Sequence, residues 1–214
     1  MIAFVLGILA CFVVGDLLHR FGSTAEVSRK SVHVGTCLVI AAFPVFGIGD
    51  RDLLLIAIGS FVAIALLRRT VLMRAIMSVE RTSWGDLMLP LSVAIIAPMH
   101  VAYPVFLGAY LVLGISDALA SLVGRAFGRR RYVLLGHAKS YIGSSAFFAS
   151  AWAILAGVAH FGGLPTTTAL LVGGIAAGAL TLVEALSHKG MDNLSIPVGT
   201  ALLLPPLLHI PFPA

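Results

Sequence analysis

Three acidic residues of this sequence stand where an apolar stretch meets a polar segment. Asp117 and Glu184 lie near the ends of two such stretches, and Asp192 comes shortly afterwards in a short turn with Asn193. A charge at the edge of an apolar segment is costly and usually marks an ion or substrate path. Carboxylate and amide oxygens are the ligands that Mg²⁺ prefers. We therefore predict a divalent-cation site formed by Asp117, Glu184 and Asp192, with helix capping by Asp192 or Asn193 as the alternative.

A segment suited to binding phosphate comes after Asp117. Gly124 and Gly128 would allow close approach of the backbone to a phosphate, and the arginines around them would neutralise it. Lys139 and Ser140 come just before another apolar stretch, where the free N–H groups of a helix start favour an anion. Ordinary basic flanking of a membrane segment is the alternative explanation for the arginines. The predicted nucleotide-binding residues are Arg29, Lys30, Arg81, Gly124, Arg125, Gly128, Lys139, Ser140, Gly143, Ser144 and Asn193.

His33 and Asp117 are the candidate general bases. His33 comes about one helical turn after the basic pair Arg29-Lys30, where it could accept a hydroxyl proton or orient a phosphate. A histidine hydrogen-bonded within a helical bundle is the alternative. We predict Asp117, His33 and Lys139 as the catalytic residues.

The composition places these residues in a membrane protein. Hydrophobic side chains make up 59% of the chain, and charged residues 11% against a usual value of about 25%. The mean hydropathy of +1.05 extends along the whole sequence, which excludes a water-soluble globule. The net charge of +5 favours binding to anionic lipid headgroups or phosphates. The sequence contains no nucleic-acid-binding motif.

Eight apolar stretches approach the ~20 residues that a helical span requires. They predict an all-α fold, a polytopic integral membrane bundle of about eight (seven to eight) transmembrane helices in one domain, 1–214. Pro205 and Pro206 predict an interruption of the last stretch. The stretches are residues 2–18, 32–48, 53–67, 87–98, 101–123, 142–161, 168–186 and 194–210.

The basic residues predict the orientation in the membrane. With eight crossings, every Lys and Arg except Arg51 falls on the side of the loops that come after the odd-numbered spans. Basic loops stay in the cytoplasm, so we predict a cytoplasmic active face and both termini on the opposite side.

These motifs, in this order, resemble the dolichol kinase, phytol kinase and CTP-dependent diacylglycerol kinase family of integral membrane enzymes, the polyprenol kinases. The resemblance rests on Arg29-Lys30-x-x-His33, Arg81-x-Ser83-x-Gly85, Asp117 with Gly124 and Gly128, Lys139-Ser140-x-x-Gly143-Ser144, and Glu184 followed by Asp192-Asn193-x-x-x-Pro197. It implies that a nucleoside triphosphate, typically CTP, donates its terminal phosphoryl group to a lipid alcohol with Mg²⁺ or Mn²⁺. It also implies that the Lys139-Ser140 and Asp192-Asn193 segments belong to the nucleotide and metal site.

One position departs from the family pattern, because Ile142 stands where the family often has a glutamate. The metal or nucleotide role of that glutamate would then be lost or would move to Asp117 or Asp86. The rival functions are a phosphatidate cytidylyltransferase-like enzyme and, from a different class, a small transporter, although transport favours polar residues near the membrane midplane. The generic aliphatic spans leave prenols, polyprenols and diacylglycerol open as the lipid substrate, and no oligomeric state can be read.

Overall fold

The computed structural model describes residues 1–68 and 83–209, which form eight α-helices and one β-hairpin. The prediction of an all-α bundle is confirmed, and each apolar stretch corresponds to one helix. The predicted nucleotide-binding residue Arg81 lies outside the described residues. The helices are α1 (Ile2–Arg20), α2 (Ala25–Ala41), α3 (Asp50–Leu67), α4 (Gly85–Ile96), α5 (Tyr103–Phe127), α6 (Tyr141–Phe161), α7 (Thr166–Leu186) and α8 (Asp192–His209).

Four of these helices, α1, α5, α6 and α7, are long and apolar enough to cross a bilayer. The count of eight crossings therefore stays a prediction. The predicted interruption at Pro205 and Pro206 is wrong, since α8 continues through both to His209.

Helix α5 contains a π-helical segment, Val112–Ser116, directly before Asp117. Such a segment inserts an extra residue into the helical turn, which shifts the register of the rest of the helix and is frequent at functional sites. Gly114 permits close packing here, because a Cβ at this position would lie 2.8 Å from the Cβ of Cys37 on α2. The close approach of α2 and α5 brings Asp117 to the basic end of α2.

The connection between α5 and α6 is a hairpin of β1 (Arg131–Leu134) and β2 (His137–Ser140). Leu135 and Gly136 form its two-residue loop, and both have positive φ (49° and 79°), as in the turns that match the twist of a hairpin. Tyr132 pairs with Lys139 in the antiparallel register. The side chain of Lys139 is therefore placed by a strand, a feature that the sequence analysis did not predict.

Candidate active site

The first part of the site is a buried ion pair between α2 and α5. Helix α2 begins at Ala25, seven residues before the predicted span, because the hydroxyl of Thr24 caps it by accepting from the N–H of Val27 at 3.3 Å. Lys30 therefore lies within the helix, and its Nζ donates to Oδ2 of Asp117. The two side chains are only 8% and 11% exposed, so each charge depends on the other.

His33 adds an imidazole to this pair. Its Nε2 lies 3.3 Å from the carbonyl oxygen of Leu113, in the π-helical segment, and 3.6 Å from Oδ2 of Asp117. A carbonyl can only accept a hydrogen bond, so this contact places a proton on Nε2, and in the neutral ring Nδ1 is then the acceptor nitrogen. The structure thus brings together the two predicted candidate bases.

A second ion pair joins the hairpin to α7. Nζ of Lys139 donates to Oε1 of Glu184 at 2.5 Å and also to the Glu184 carbonyl oxygen. The other carboxylate oxygen, Oε2, is buried and has no hydrogen-bond partner in the described part of the chain. Glu184 therefore has one oxygen atom available for a further ligand.

Asp192 is the first residue of α8, and its pKa is affected by charged residues of both ion pairs. Its Oδ1 accepts from the N–H of Asn193 at 3.0 Å. Burial, and then the negative charge of Asp117, raise the pKa of Asp192 to about 6, while Lys30 and Lys139 act in the opposite direction. Both ion pairs and Asp192 therefore belong to one charged cluster.

The start of α8 and the turn before it are attached to the start of α4. The side-chain amide of Asn193 donates to the carbonyl of Gly85 at 2.7 Å, and the N–H of Trp84 donates to the carbonyl of Lys189 at 2.8 Å. Gly190 has φ +88°, and a Cβ there would lie 2.3 Å from the Gly85 nitrogen. The amide of Asn193 thus has a structural partner, and nucleotide binding by this residue stays a prediction.

The glycines predicted to contact phosphate instead surround Ser140. A Cβ at Gly124 would lie 2.7 Å from the Ser140 hydroxyl, one at Gly128 2.7 Å from the Ser140 Cβ, and one at Gly143 2.8 Å from the carbonyl of Ala120. The hydroxyl of Ser140 caps α6 by accepting from the N–H of Gly143 at 3.1 Å. Close packing of α5 against the start of α6 accounts for these glycines, and phosphate contact at them stays a prediction.

Two further predicted nucleotide-binding arginines meet at Glu26, which the sequence analysis missed. Arg29 lies 2.8 Å and Arg125 2.7 Å from Oε1 of Glu26, and the Ser121 hydroxyl donates to the same oxygen at 3.1 Å. Although burial opposes it, these partners lower the pKa of Glu26, so the group is ionised. The i, i+3 spacing of Glu26 and Arg29, which brings opposite charges together on a helix, was the sequence feature that could have predicted this cluster.

The chain is 32% identical over 200 residues to the phytol kinase of Synechocystis sp., an alignment that covers 91% of this chain and 85% of that protein. The chain belongs to the phytol kinase family. No protein-family model and no solved structure matches it. Membership agrees with the polyprenol kinase resemblance and with an integral membrane location, whereas the dolichol and diacylglycerol kinase branches of that resemblance stay predictions.

The remaining predicted residues of this phytol kinase family member have protein partners. Ser144 lies 2.7 Å from the Tyr132 hydroxyl, and Asp86 forms a bidentate pair with Arg68 at 2.5 and 2.8 Å. Asp86 is therefore already neutralised, which disfavours it as the substitute for the glutamate that Ile142 replaces.

The predicted metal ligands do not form a finished site in the described part of the chain. Among residues 1–68 and 83–209, no three His, Cys, Asp or Glu side chains converge closely enough to hold a metal ion together. Asp117 and Glu184 each pair with a lysine, whereas Asp192 has no ion pair within the described residues and is affected by the charge of Asp117. The charged cluster thus offers carboxylate oxygens on three elements, with cations between them.

Proposed function

We propose that this protein is an integral membrane lipid-alcohol kinase that transfers the terminal phosphoryl group of CTP to a prenol. Kinase activity on a lipid alcohol is supported by membership in the phytol kinase family. The observation that carries the site assignment is a pair of ion-paired groups, Lys30 and His33 with Asp117 and Lys139 with Glu184. Charges from both groups act on Asp192.

Asp117 and His33 are suited to accept the proton of the attacking alcohol. Lys30 holds the Asp117 carboxylate in position, and Nδ1 is the acceptor nitrogen of a neutral His33 ring. The lipid oxygen would form a bond to the terminal phosphorus, the bond from that phosphorus to the bridging oxygen would break, and the proton would pass to one of these two groups. The products would be a lipid monophosphate and CDP.

We expect four cations to contribute to binding of the triphosphate. Phosphoryl transfer depends mainly on positioning and on neutralising charge, which Arg29, Lys30, Arg125 and Lys139 can supply. Each of them faces a carboxylate in the structure. A bound triphosphate would therefore compete with these carboxylates for the same ammonium and guanidinium groups.

The carboxylates that remain fit a hard divalent cation. Glu184 has a buried oxygen without a partner in the described residues, and Asp117 lies near enough to Asp192 to raise its pKa. Mg²⁺ accepts few protein carboxylates and completes its shell with water and phosphate oxygens, so a finished three-carboxylate site is not required. When bound, the ion would offset the negative charge of the phosphates.

The acceptor that we propose is phytol or a related prenol, in keeping with the name of the Synechocystis relative. Such an alcohol can stay in the bilayer with its hydroxyl at the level of the helix ends. The water-soluble nucleotide would approach the same end of the bundle from the cytoplasm, as the basic loops predict.

Product analysis tests this function. Purified protein is incubated with CTP, ATP or GTP and with phytol, farnesol, geranylgeraniol, a polyprenol or diacylglycerol. We expect CDP and a prenyl monophosphate from CTP and phytol. Release of pyrophosphate with a cytidylylated lipid would instead identify a cytidylyltransferase.

A matched pair of acid variants connects this activity to the site. Asp117→Asn removes the buried carboxylate, whereas Asp16→Asn removes an exposed one on α1 that pairs with Arg20. We expect loss of product with Asp117→Asn only. Equal activity of both variants would remove Asp117 from the mechanism.

A further inference from the structure

The β-hairpin has an inner face that contacts the rest of the protein. Tyr132, Lys139 and His137 lie on this face, and their contacts are with α6, α7 and the turn before α8. The last contact is a stack of the His137 ring on that of His188, with ring centroids 4.7 Å apart and an angle of 15° between the planes. The inner face is thus fixed at three points.

The outer face carries exposed apolar side chains near the loop of the hairpin. Alternate residues of a strand point to opposite faces, so Arg131, Val133, Ala138 and Ser140 point away from these contacts. Ser140, at the end next to α6, is buried, whereas the part of this face nearer the loop is exposed. Val133 is 71% exposed and Leu135, in the turn, 67%. Large apolar side chains grouped in this way on a surface indicate a contact with a membrane or another molecule.

The ends of the hairpin are joined to two helices that are candidate membrane spans. Phe127 ends α5 and Tyr141 begins α6, and both of these helices are long and apolar enough to span the bilayer. The two aromatic side chains are 66% and 60% exposed. Tyrosine and tryptophan are enriched at the membrane interface, which places the Tyr141 end of the hairpin there. The hairpin therefore connects two helix ends that we expect to lie near the membrane interface.

The charges beside the hairpin complement an anionic surface. Arg129, Arg130 and Arg131 are exposed, and their guanidinium groups form no ion pair within residues 1–68 and 83–209. The nearby Arg125, by contrast, is paired with Glu26. Unpaired basic residues beside a membrane attract anionic lipids.

We propose that the outer face of the hairpin lies in the interfacial layer of the bilayer. Val133 and Leu135 contact the upper parts of the acyl chains, and the three arginines bind the phosphates of anionic phospholipids. An apolar surface edged by arginines is the pattern of segments that lie in this layer. Lys139 lies on the opposite face of the same strands. Contact of the outer face with lipid therefore helps to hold Lys139 against Glu184. The proposal concerns the position of the hairpin and does not depend on the reaction catalysed.

Fluorescence quenching in nanodiscs tests the depth of the outer face. A polarity-sensitive fluorophore is attached to Val133→Cys in a Cys11→Ala/Cys37→Ala background. The control site is Lys189→Cys, an exposed position in the turn on the inner side of the hairpin. We expect lipids with nitroxides near the headgroup to quench the probe at 133 and aqueous iodide to quench the probe at 189. Equal quenching by iodide at both sites would overturn the proposal. Protection at 133 from both quenchers would also overturn it, in favour of a second copy of the chain covering this face.

A charge variant tests the choice of lipid. In nanodiscs that contain phosphatidylglycerol, we expect stronger lipid quenching at 133 than in phosphatidylcholine alone. The triple variant Arg129→Gln/Arg130→Gln/Arg131→Gln removes the positive charges but keeps polar side chains, and it should abolish this difference, with the probe at 189 unchanged. If the difference persisted in the triple variant, anionic lipid recognition by these arginines would be refuted.

Discussion

At the scale of single residues, the site consists of ion pairs that join different elements. Lys30 connects α2 to α5, and Lys139 connects the hairpin to α7. Removing one member of a buried pair leaves an uncompensated charge at a cost of about 3–5 kcal/mol, whereas removing both members costs much less. Single substitutions here therefore change stability as well as catalysis, and paired substitutions separate the two effects.

The pair of Lys139 with Glu184 gives the first prediction. We expect Lys139→Met to lower the unfolding temperature, raise the KM for nucleotide and reduce kcat, because a buried carboxylate loses its partner and the triphosphate loses a cation. Lys139→Met/Glu184→Gln should regain most of the stability without regaining activity. Thermal unfolding and steady-state kinetics in the same detergent measure both. Recovery of activity in the double variant would mean that Lys139 acts only structurally.

Metal dependence distinguishes the roles of the acids. Activity should vanish in EDTA and return with Mg²⁺ or Mn²⁺, because a triphosphate brings about four negative charges into a site that already holds acids. Asp192→Asn should weaken the apparent affinity for Mg²⁺. Asp117→Asn should reduce kcat by roughly 10²–10⁴-fold if this carboxylate is the base, without recovery at high Mg²⁺. Recovery at high Mg²⁺ would identify Asp117 as a ligand instead, and full activity in EDTA would exclude the metal.

The raised pKa of Asp192 predicts how the stability of the metal-free protein depends on pH. Its pKa is about 6 in the folded protein and about 3.9 in an unfolded chain, so folding favours the protonated form. The contribution of Asp192 to the free energy of unfolding is fully present below pH ~4 and is lost as the pH rises through about 6. In chelator, Asp192→Asn should therefore raise the unfolding temperature at pH 7 and change it little at pH 4. Equal shifts at both pH values would contradict the raised pKa.

At the scale of elements, the sequence located the helices better than it located their partners. A run of apolar residues is sufficient to predict a helix in lipid, where backbone groups must bond within the segment. The start of α2 was missed because Glu26, Arg29 and Lys30 interrupt hydropathy without interrupting the helix. The hairpin was missed because its strands are four residues long and mostly exposed.

The π-helical segment of α5 was beyond sequence analysis, because nothing local in Val112–Ser116 distinguishes it from α-helix. Its effect depends on α2, to which it presents Gly114 and the carbonyl of Leu113. The sequence thus identified His33 and Asp117 as separate candidates. It could not show that a shift of register in α5 places them side by side.

Close packing at Gly114 gives the prediction at this scale. Gly114→Ala would place a Cβ 2.8 Å from that of Cys37, so α5 must move away from α2 and weaken the contact of Lys30 with Asp117. We expect a lower kcat and a lower unfolding temperature. Gly157→Ala on α6 is the matched control, since a Cβ there has no atom within 4 Å and alanine favours a helix by up to ~1 kcal/mol. Equal behaviour of the two variants would show that the packing of α2 on α5 does not control the site.

At the scale of the whole molecule, the charged residues of the candidate site lie at one end of the bundle. Helix α6 leads away from this end and α7 returns to it, as the contact of Lys139 with Glu184 shows. The 21 residues of α6 span ~31 Å, which matches the ~30 Å hydrocarbon core of a bilayer. The start of α7 should therefore lie on the opposite side of the membrane from the hairpin.

Cysteine labelling tests this orientation and the predicted eight crossings. In a cysteine-free background, Arg130→Cys in the hairpin connection and Thr166→Cys at the start of α7 are treated with a membrane-impermeant maleimide in sealed cells and in inverted vesicles. Basic loops stay in the cytoplasm, so we expect Arg130→Cys to react only in inverted vesicles and Thr166→Cys only in cells. Lys189→Cys, at the far end of α7, should behave like Arg130→Cys. Labelling of positions 130 and 166 from the same side would contradict the eight-crossing arrangement, because α6 would then not cross the membrane.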